Sequence, residues 1–229
     1  MTTVNNKNLN QINILPILYS LRNCPYAMRA RLAIYKAKYP VALRDIVLSN
    51  KPQCMLDVSP KGTVPVLVLT NNQVIDESLP IMLWALQEND PEDLLHSYEK
   101  SILADMLELI EQFDVGFKTS LNAYKCAKRY QESNVVECRQ LCEVYLAQLE
   151  LRLTNHAFLY SNQESLADIA LVPFIRQFAR VERQWYLQSP YSRLRQWLNR
   201  YLHSPSFTKV MAKHPLWLES QQQVVFGKL

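Results

Sequence analysis

Glycine is scarce in this chain: only Gly62, Gly116 and Gly227 occur among 229 residues. Three isolated glycines cannot form the glycine-rich loops that wrap nucleotide phosphates, so neither the dinucleotide-binding fingerprint nor the P-loop motif can be written anywhere in the sequence. The scarcity therefore excludes Rossmann dehydrogenases, P-loop NTPases, protein kinases and collagen-like repeats.

Long apolar runs and a strong excess of one charge are also lacking. No segment approaches the roughly 20 apolar residues of a membrane-spanning helix, and residues 1–11 lack the apolar core of a signal peptide. The 25 basic and 21 acidic residues are interspersed and leave a net charge of +4, which suits small anionic ligands better than nucleic acid. We therefore expect a cytoplasmic protein without membrane or nucleic-acid partners. Its polar first segment, residues 1–13, is predicted to be a disordered arm.

Residues 14–88 alternate apolar runs with capped helical segments, the pattern of a mixed α/β domain. A strand, a helix that begins at Pro25 and a second strand form a βαβ unit. Two apolar runs around Asn71 and Asn72 predict a hairpin before a last helix. This order, βαβ followed by ββα, is the thioredoxin-like arrangement. The predicted strands are 14–19, 41–48, 64–69 and 74–75, and the last helix ends near residue 87.

Residues 94–229 show helical periodicity without a strand signal, so they predict a second domain that is an all-helical bundle. A polar linker at residues 88–93 separates the two patterns. Ser165 and Asp168 form an S-x-x-D capping box before an apolar segment. Since that helix is apolar nearly all round, we expect it to lie at the centre of the bundle.

Cys24 is the strongest candidate for chemistry because it lies between a strand end and a helix start. Free N–H groups at a helix N-terminus favour an anion, and Arg22 and Arg29 add positive charge, so the thiolate form is favoured. No second cysteine follows within Cys24–Ala27, so an external thiol must reduce the oxidised form. The remaining cysteines have no histidine nearby and predict packed thiols rather than a metal site. They are Cys54, Cys126, Cys138 and Cys142.

Five motifs, taken in their order and spacing, resemble those of the cytosolic glutathione S-transferase superfamily, and most closely its omega-like, cysteine-type members. The resemblance implies a glutathione-binding thioredoxin-like domain at 14–88, a helical domain at 94–229 and a homodimer. The motifs are RNCPYAMRARL at Arg22–Leu32, NKP at Asn50–Pro52, SPKGTVPVL at Ser59–Leu67, DES at Asp76–Ser78 and the capping box at Ser165–Asp168.

The resemblance implies a glutathione site residue by residue. Val64 would bind the cysteinyl backbone of glutathione in a strand-like contact, next to a cis Pro65. Glu77 and Ser78 would hold the γ-glutamyl end, Ser78 at a helix start suited to a carboxylate. Lys51 would bind the glycyl carboxylate. The alternative for each polar residue is a helix cap or a solvated side chain.

The resemblance further implies an acceptor pocket formed by aromatic side chains, although aromatic residues at helical spacing are more often core. Arg176 and Arg180, one turn apart, belong either to an anionic acceptor site or to a solvated face. Tyr19 is interpreted as a core or pocket-wall residue, because Cys24 takes the place of the catalytic tyrosine of tyrosine-type relatives. The candidates for the pocket are Tyr26, Phe113, Phe117, Tyr124 and Phe178.

The sequence thus predicts a glutathione-dependent thiol transferase or reductase that acts through a mixed disulfide between Cys24 and glutathione. Deglutathionylation, dehydroascorbate-type reduction and reduction of glutathionyl conjugates are all open to such a site. Glutathione is the expected cosubstrate, with no metal. The alternative is a non-catalytic relative that binds a protein partner through the basic and aromatic segment Arg193–Tyr201. The full set of implied glutathione residues argues against that alternative.

Overall fold

The structure, a computed structural model, describes residues 15–228. The predicted disordered arm, residues 1–13, lies outside the described residues. A five-stranded mixed sheet forms the centre of the first domain, in the order β4-β3-β1-β2-β5. The strands are β1 (Ile17–Ser20), β2 (Val41–Asp45), β3 (Val66–Val68), β4 (Val74–Ile75) and β5 (Val224–Phe226).

The pairing of the first four strands confirms the thioredoxin-like order. β1 and β2 are parallel, with Leu18 opposite Leu43, and β3 runs antiparallel to β1, with Leu67 opposite Leu18. β4 completes the hairpin with β3. The second strand is shorter than predicted: it ends at Asp45 rather than near Leu48, because the chain turns there and the Asn50 N–H donates to the Val47 carbonyl at 3.3 Å.

Three helices cover the sheet of the first domain. α1 begins with Pro25 at its first turn, where a missing N–H costs no hydrogen bond. Its buried face packs against α3 in the main core of the protein, whereas Met55 of α2 packs with Tyr19 in a smaller cluster. The helices are α1 (Pro25–Lys36), α2 (Gln53–Val58) and α3 (Ser78–Glu88).

The second domain is a helical bundle built around α7, which is buried over nearly its whole length as predicted. The capping box at its start is present: Ser165 and Asp168 exchange side-chain to backbone hydrogen bonds. None of the helices in the described part of the chain has the length and apolar character needed to cross a bilayer. The elements are α4 (Lys100–Gln112), a π-helical segment (Phe113–Phe117), α5 (Lys118–Tyr130), α6 (Val135–Asn155), α7 (Leu166–Ala179), α8 (Arg183–Gln188), α9 (Ser192–Leu202), α10 (Pro205–Val210) and α11 (Trp217–Ser220).

The expectation that no strand follows residue 93 is wrong for β5. Val224–Phe226 returns to the first domain and pairs antiparallel with β2, with Phe226 opposite Val41. Three residues are too short to show an alternating pattern, so the sequence gives no strand signal there. Gly227 ends the strand at φ +88°, and a Cβ at that position would lie 2.1 Å from the Tyr39 carbonyl oxygen. β5 thereby covers an edge of the sheet that would otherwise be open.

Candidate functional site

Cys24 caps the N-terminus of α1, as the sequence predicted. Its backbone is extended, with φ −74° and ψ 124°, and its carbonyl accepts from the Met28 N–H at 2.9 Å. The side chain is half-buried. The sulfur lies 3.8 Å from the Val64 carbonyl oxygen. The thiol is therefore held between the first turn of a helix and the loop that precedes β3.

That loop contains the Val64–Pro65 peptide bond, which is cis as expected. Both residues are buried. The chain enters the loop through Gly62 at φ +62°, a conformation that side chains with a Cβ rarely adopt. A Cβ at Gly62 would also lie 3.0 Å from the Lys51 ammonium nitrogen. Lys51 thus lies behind the turn, and it is not among the residues that line the adjoining cavity.

We call the adjoining space of about 380 Å³ the Pro65 cavity. It opens beside the cis peptide bond, between the two domains. The start of α3 borders it, and the first N–H groups of a helix have no intrahelical partners, which suits an anionic group. Five of the predicted site residues line this one cavity: Tyr26, Val64, Pro65, Glu77 and Ser78.

Two residues at the start of α3 differ sharply in exposure. Ser78 is buried to 4% exposure in the first turn, where its hydroxyl lines the Pro65 cavity. Glu77 is the N-cap and is exposed, and its carboxylate forms an ion pair with Lys61. Because both partners of that pair face solvent, the pair itself contributes little to stability. Glu77 is therefore available to a cationic ligand group.

The opposite wall of the Pro65 cavity comes from the helical domain, and the sequence did not predict it. Asp114 and Lys118 line the cavity from the π-helical segment and from α5. The Lys118 ammonium lies 4.2 Å from the centre of the Tyr26 ring. Asp114 is fixed by Arg29, whose guanidinium is fully buried and 2.8 Å away. Arg29 and Asp114 are 85 residues apart in the chain, so no local sequence pattern predicts their ion pair.

The positive charge near Cys24 also differs from expectation. Arg29 points away toward the helical domain and donates to the Ala170 carbonyl at 2.7 Å. Arg31 lies about one helical turn beyond Met28. Its buried guanidinium donates to the Arg22 carbonyl at 2.6 Å and so stabilises the loop that precedes α1. Burial lowers the pKa of Arg31 to about 10, while the charges of Asp45 and Cys24 act in the opposite direction.

Comparison with known proteins decides the family. Residues 18–93 match the family model described as glutathione S-transferase, N-terminal domain, and residues 137–200 match the glutathione S-transferase, C-terminal domain. A probable glutathione transferase from Aplysia californica is 39% identical over 84 residues, which cover 37% of this chain and 89% of the relative. The chain belongs to the glutathione S-transferase family.

Other members of the family match over longer segments. A probable glutathione S-transferase DHAR2, chloroplastic, from Oryza sativa subsp. japonica is 24% identical over 84% of this chain, and the chain spans 66% of its length. Glutathione S-transferase omega-1 from Rattus norvegicus is 27% identical over 72% of this chain and 68% of its own. A glutathione transferase family member from Pseudomonas fluorescens, solved with two glutathione bound, shares the fold at a TM-score of 0.74 and 15% identity, over 89% of this chain and 95% of that one.

The acceptor pocket expected for a glutathione S-transferase needs correction in four of its five members. Only Tyr26 lines the Pro65 cavity. The other four rings form the interior of the helical domain, each no more than 1% exposed, and they stack on one another or on neighbouring rings. Their spacing is that of a helix core, which the sequence cannot distinguish from a pocket wall. They are Phe113, Phe117, Tyr124 and Phe178.

Of the two positions predicted for Tyr19, core or pocket wall, the structure shows the core. Its hydroxyl donates to the Cys54 sulfur at 3.2 Å and accepts from Arg44 at 2.7 Å. Burial raises its pKa to about 12, so this phenol is a poor source of a phenolate. Tyr19 is not among the residues that line the Pro65 cavity.

The basic and aromatic segment Arg193–Tyr201, the docking surface of the alternative hypothesis, falls in α9. Its apolar side chains are buried in the bundle: Trp197 is 1% exposed, and its indole N–H donates to Asp168. Arg193 and Arg200 remain exposed. The aromatic side chains of this segment are thus part of the core, and the side chains that remain exposed to a partner are charged or polar: Arg193, Gln196, Asn199 and Arg200.

Proposed function

We propose that this chain is a cysteine-type glutathione-dependent thiol transferase or reductase, with Cys24 as the reacting group. The observation that carries the proposal is the 3.8 Å contact between the Cys24 sulfur and the Val64 carbonyl, at the edge of the Pro65 cavity. A tripeptide whose backbone lies along Val64 would have its own sulfur close to Cys24. Two relatives, glutathione S-transferase omega-1 and a probable glutathione S-transferase DHAR2, support the same class of chemistry.

In the proposed glutathione site, the loop around Val64 offers backbone groups and the start of α3 offers free N–H groups. Ser78 would bind the γ-glutamyl carboxylate, and Glu77 would bind the ammonium in exchange for Lys61. Lys51, which lies behind Gly62, would reach the glycyl carboxylate only by moving its flexible side chain. Glutathione is thus the cosubstrate, and no step requires a metal.

The proposed reaction has two disulfide exchanges. The Cys24 thiolate attacks the glutathione sulfur of a mixed disulfide, which forms a bond between Cys24 and glutathione, breaks the original disulfide and releases the substrate thiolate to take up a proton. The thiolate of a second glutathione then attacks the glutathione sulfur on Cys24. Glutathione disulfide leaves, and the Cys24 thiolate is restored. The net change converts the mixed disulfide and one free glutathione into the substrate thiol and glutathione disulfide, so one free glutathione is consumed per turnover.

Replacement of Cys24 tests this proposal. Wild-type protein treated with glutathione disulfide is expected to gain the mass of one glutathionyl group at Cys24, and Cys24→Ala is expected to lose turnover of glutathione mixed disulfides by at least about 1000-fold. Cys54→Ala and Cys126→Ala remove exposed thiols outside the site and serve as matched controls that keep activity. Turnover that survives Cys24→Ala would refute the mechanism.

The proposal includes a cytoplasmic homodimer, which is typical of the family. A groove between α3 and α4 supports a second copy of the chain as its occupant, since Leu79, Leu83 and Leu107 form its apolar part. The carboxylates of Glu108, Glu111 and Asp114 also line it. Sedimentation equilibrium is expected to give twice the mass of the chain. Leu83→Glu is expected to halve that mass, and a monomeric wild-type protein would contradict this part of the proposal.

A further inference from the structure

A second cavity, of about 510 Å³, is bordered by residues next to Cys24 in the chain. Asn23 and Pro25, the chain neighbours of Cys24, form one wall together with Met28. The facing wall comes from α5 and α7. We call this space the basic cleft, because its charged lining residues are all cations: Lys125, Lys128, Arg129, Arg176 and Arg180.

Most of these cations have no carboxylate partner. Lys128 pairs with Glu182 at 2.9 Å. Within residues 15–228, the other four side chains form no ion pair. A solvated face of a helix usually interleaves both signs of charge, so a concave surface lined by one sign raises the local concentration of anions.

Arg176 lies in the last turn of α7, and Arg180, its C-cap, follows one turn later, so two cations without carboxylate partners are neighbours here. Arg176 is half-buried, and its guanidinium lies 5.6 Å from the centre of the Phe207 ring. Burial lowers its pKa, and the like charge of Arg180 lowers the pKa further. Two neighbouring cations that repel one another in a partly desolvated cleft would be stabilised by an anion between them.

Building on the function proposed above, we propose that the substrate thiol released in the first exchange carries an anionic group, which binds in the basic cleft through Arg176 and Arg180. Cys24 lines neither cavity itself, but it is next to both: its sulfur contacts Val64, which lines the Pro65 cavity, and its chain neighbours Asn23 and Pro25 line the basic cleft. A mixed disulfide with its glutathione half in the Pro65 cavity would extend its other half into the basic cleft.

A charge series of substrates tests this inference. Glutathione mixed disulfides of 2-mercaptoethanesulfonate, 2-mercaptoethanol and cysteamine share the glutathione half and differ in the charge of the leaving thiol. In Arg176→Gln/Arg180→Gln, we expect kcat/KM for the sulfonate to fall about 10-fold more than for the alcohol, and the value for the cationic amine to rise. Comparison of each variant with wild type on the same substrate cancels the intrinsic reactivity of the three thiols.

The control variant Arg193→Gln/Lys213→Gln removes the same charge from exposed sites outside the cleft and should change none of the three values. The inference would be overturned if kcat/KM in Arg176→Gln/Arg180→Gln fell by the same factor on all three substrates, or if the order and size of the preference among the three substrates stayed as in wild type. Arg180→Gln alone alters an exposed side chain and supplies the same comparison if the double variant does not fold.

A second measurement separates this inference from the proposed function, because it needs no glutathione. Iodoacetate and iodoacetamide both alkylate a thiolate with loss of iodide, but only iodoacetate is an anion. Peptide mass spectrometry follows the alkylation rate at Cys24, so that Cys54 and Cys126 do not interfere. The ratio of the iodoacetate rate to the iodoacetamide rate should be about 10-fold higher in wild type than in Arg176→Gln/Arg180→Gln. An unchanged ratio refutes the basic cleft, whereas a changed ratio without turnover of any mixed disulfide refutes only the proposed function.

Discussion

The indole N–H of Trp197 donates to a carboxylate oxygen of Asp168 at 2.8 Å, in the fully buried centre of the helical domain. The same carboxylate accepts from the Leu159 N–H at 3.1 Å and from both the N–H and the hydroxyl of Ser165, at 3.0 and 2.6 Å. Four donors from three parts of the chain thus converge on one side chain. The capping box is therefore also the hub that fixes α9 against α7.

We predict that Asp168→Asn lowers the free energy of unfolding by about 3 kcal/mol. An amide has one oxygen, so its NH₂ group must face two of the four buried donors. Urea denaturation followed by far-UV circular dichroism measures the loss. Asp57→Asn, on the exposed surface of α2, is the matched control and should change little. A loss below about 0.5 kcal/mol would contradict the role of the carboxylate as a hub.

The difference in stability between wild type and Asp168→Asn should also depend on pH. Burial raises the pKa of Asp168 from 3.8 to about 6, although hydrogen bonds from Ser165 and Trp197 oppose the shift. Between these values the folded state binds the proton more tightly than the unfolded state, so the contribution of Asp168 to stability decreases as the pH rises from about 4 to about 6. The stability gap between wild type and Asp168→Asn should therefore narrow across that window and stay constant above it. A gap that widens would show that the pKa is lowered.

How far the sequence could predict these features depends on the range of the contacts. The start of α1 at Pro25 and the capping box are set by neighbouring residues, and both were predicted from them, whereas the cis Pro65 was implied by the family resemblance. Arg29 and Arg31 belong to the opposite case. Charges on a helix are usually solvated, and the burial of these two depends on partners 85 and 179 residues away, Asp114 and the Val210 carbonyl.

The other features were missed because their segments are too short, or their spacing too ambiguous, to be read from the sequence. Val224–Phe226 is too short to show a strand period, and its conformation depends on the open edge of β2. Phe113 and Phe117, four residues apart, have the spacing of one helix face, which is the same for a core and for a pocket wall. Likewise, the sequence could place Arg176 and Arg180 on one face, but the cavity that they line with α5 requires the packing of two helices.

We predict that Arg31→Met destabilises the fold by about 3 kcal/mol or more, because a buried guanidinium holds three acceptors. Arg31 donates to the Val210 carbonyl at 3.0 Å, to the Ser20 hydroxyl and to the Arg22 carbonyl. The buried Asp45 carboxylate would then lose the largest of the positive charges that stabilise it, with only Arg22 and His214 remaining. Asp45→Asn in the Arg31→Met background should therefore recover part of the loss. A double-mutant cycle by urea denaturation checks this, and additive losses would contradict the coupling.

Gly116 supplies a packing test inside the π-helical segment. A Cβ at this position would lie 2.0 Å from the Tyr145 hydroxyl oxygen and 2.9 Å from its ring carbon. Gly116→Ala should thus cost about 1 to 3 kcal/mol of stability through overpacking. In Gly116→Ala/Tyr145→Phe the closest atom is gone, so part of the loss should return. Thermal unfolding of the two single variants and the double variant measures the coupling, and a double variant no more stable than Gly116→Ala would refute the clash.

Ser78 tests the proposed glutathione site without touching the reacting thiol. Its hydroxyl lines the Pro65 cavity at the start of α3, where it is positioned to donate to a carboxylate beside the free N–H groups of the helix. Since a hydrogen bond to a charged group contributes about 1.5 kcal/mol or more, Ser78→Ala should raise the Kd for glutathione at least about 10-fold. Isothermal titration calorimetry measures that Kd. Ser101→Ala, an exposed serine in the first turn of α4, is the matched control and should bind like wild type. Equal affinity in Ser78→Ala and Ser101→Ala would remove Ser78 from the site, because the fold around an alanine at a buried helix start is preserved.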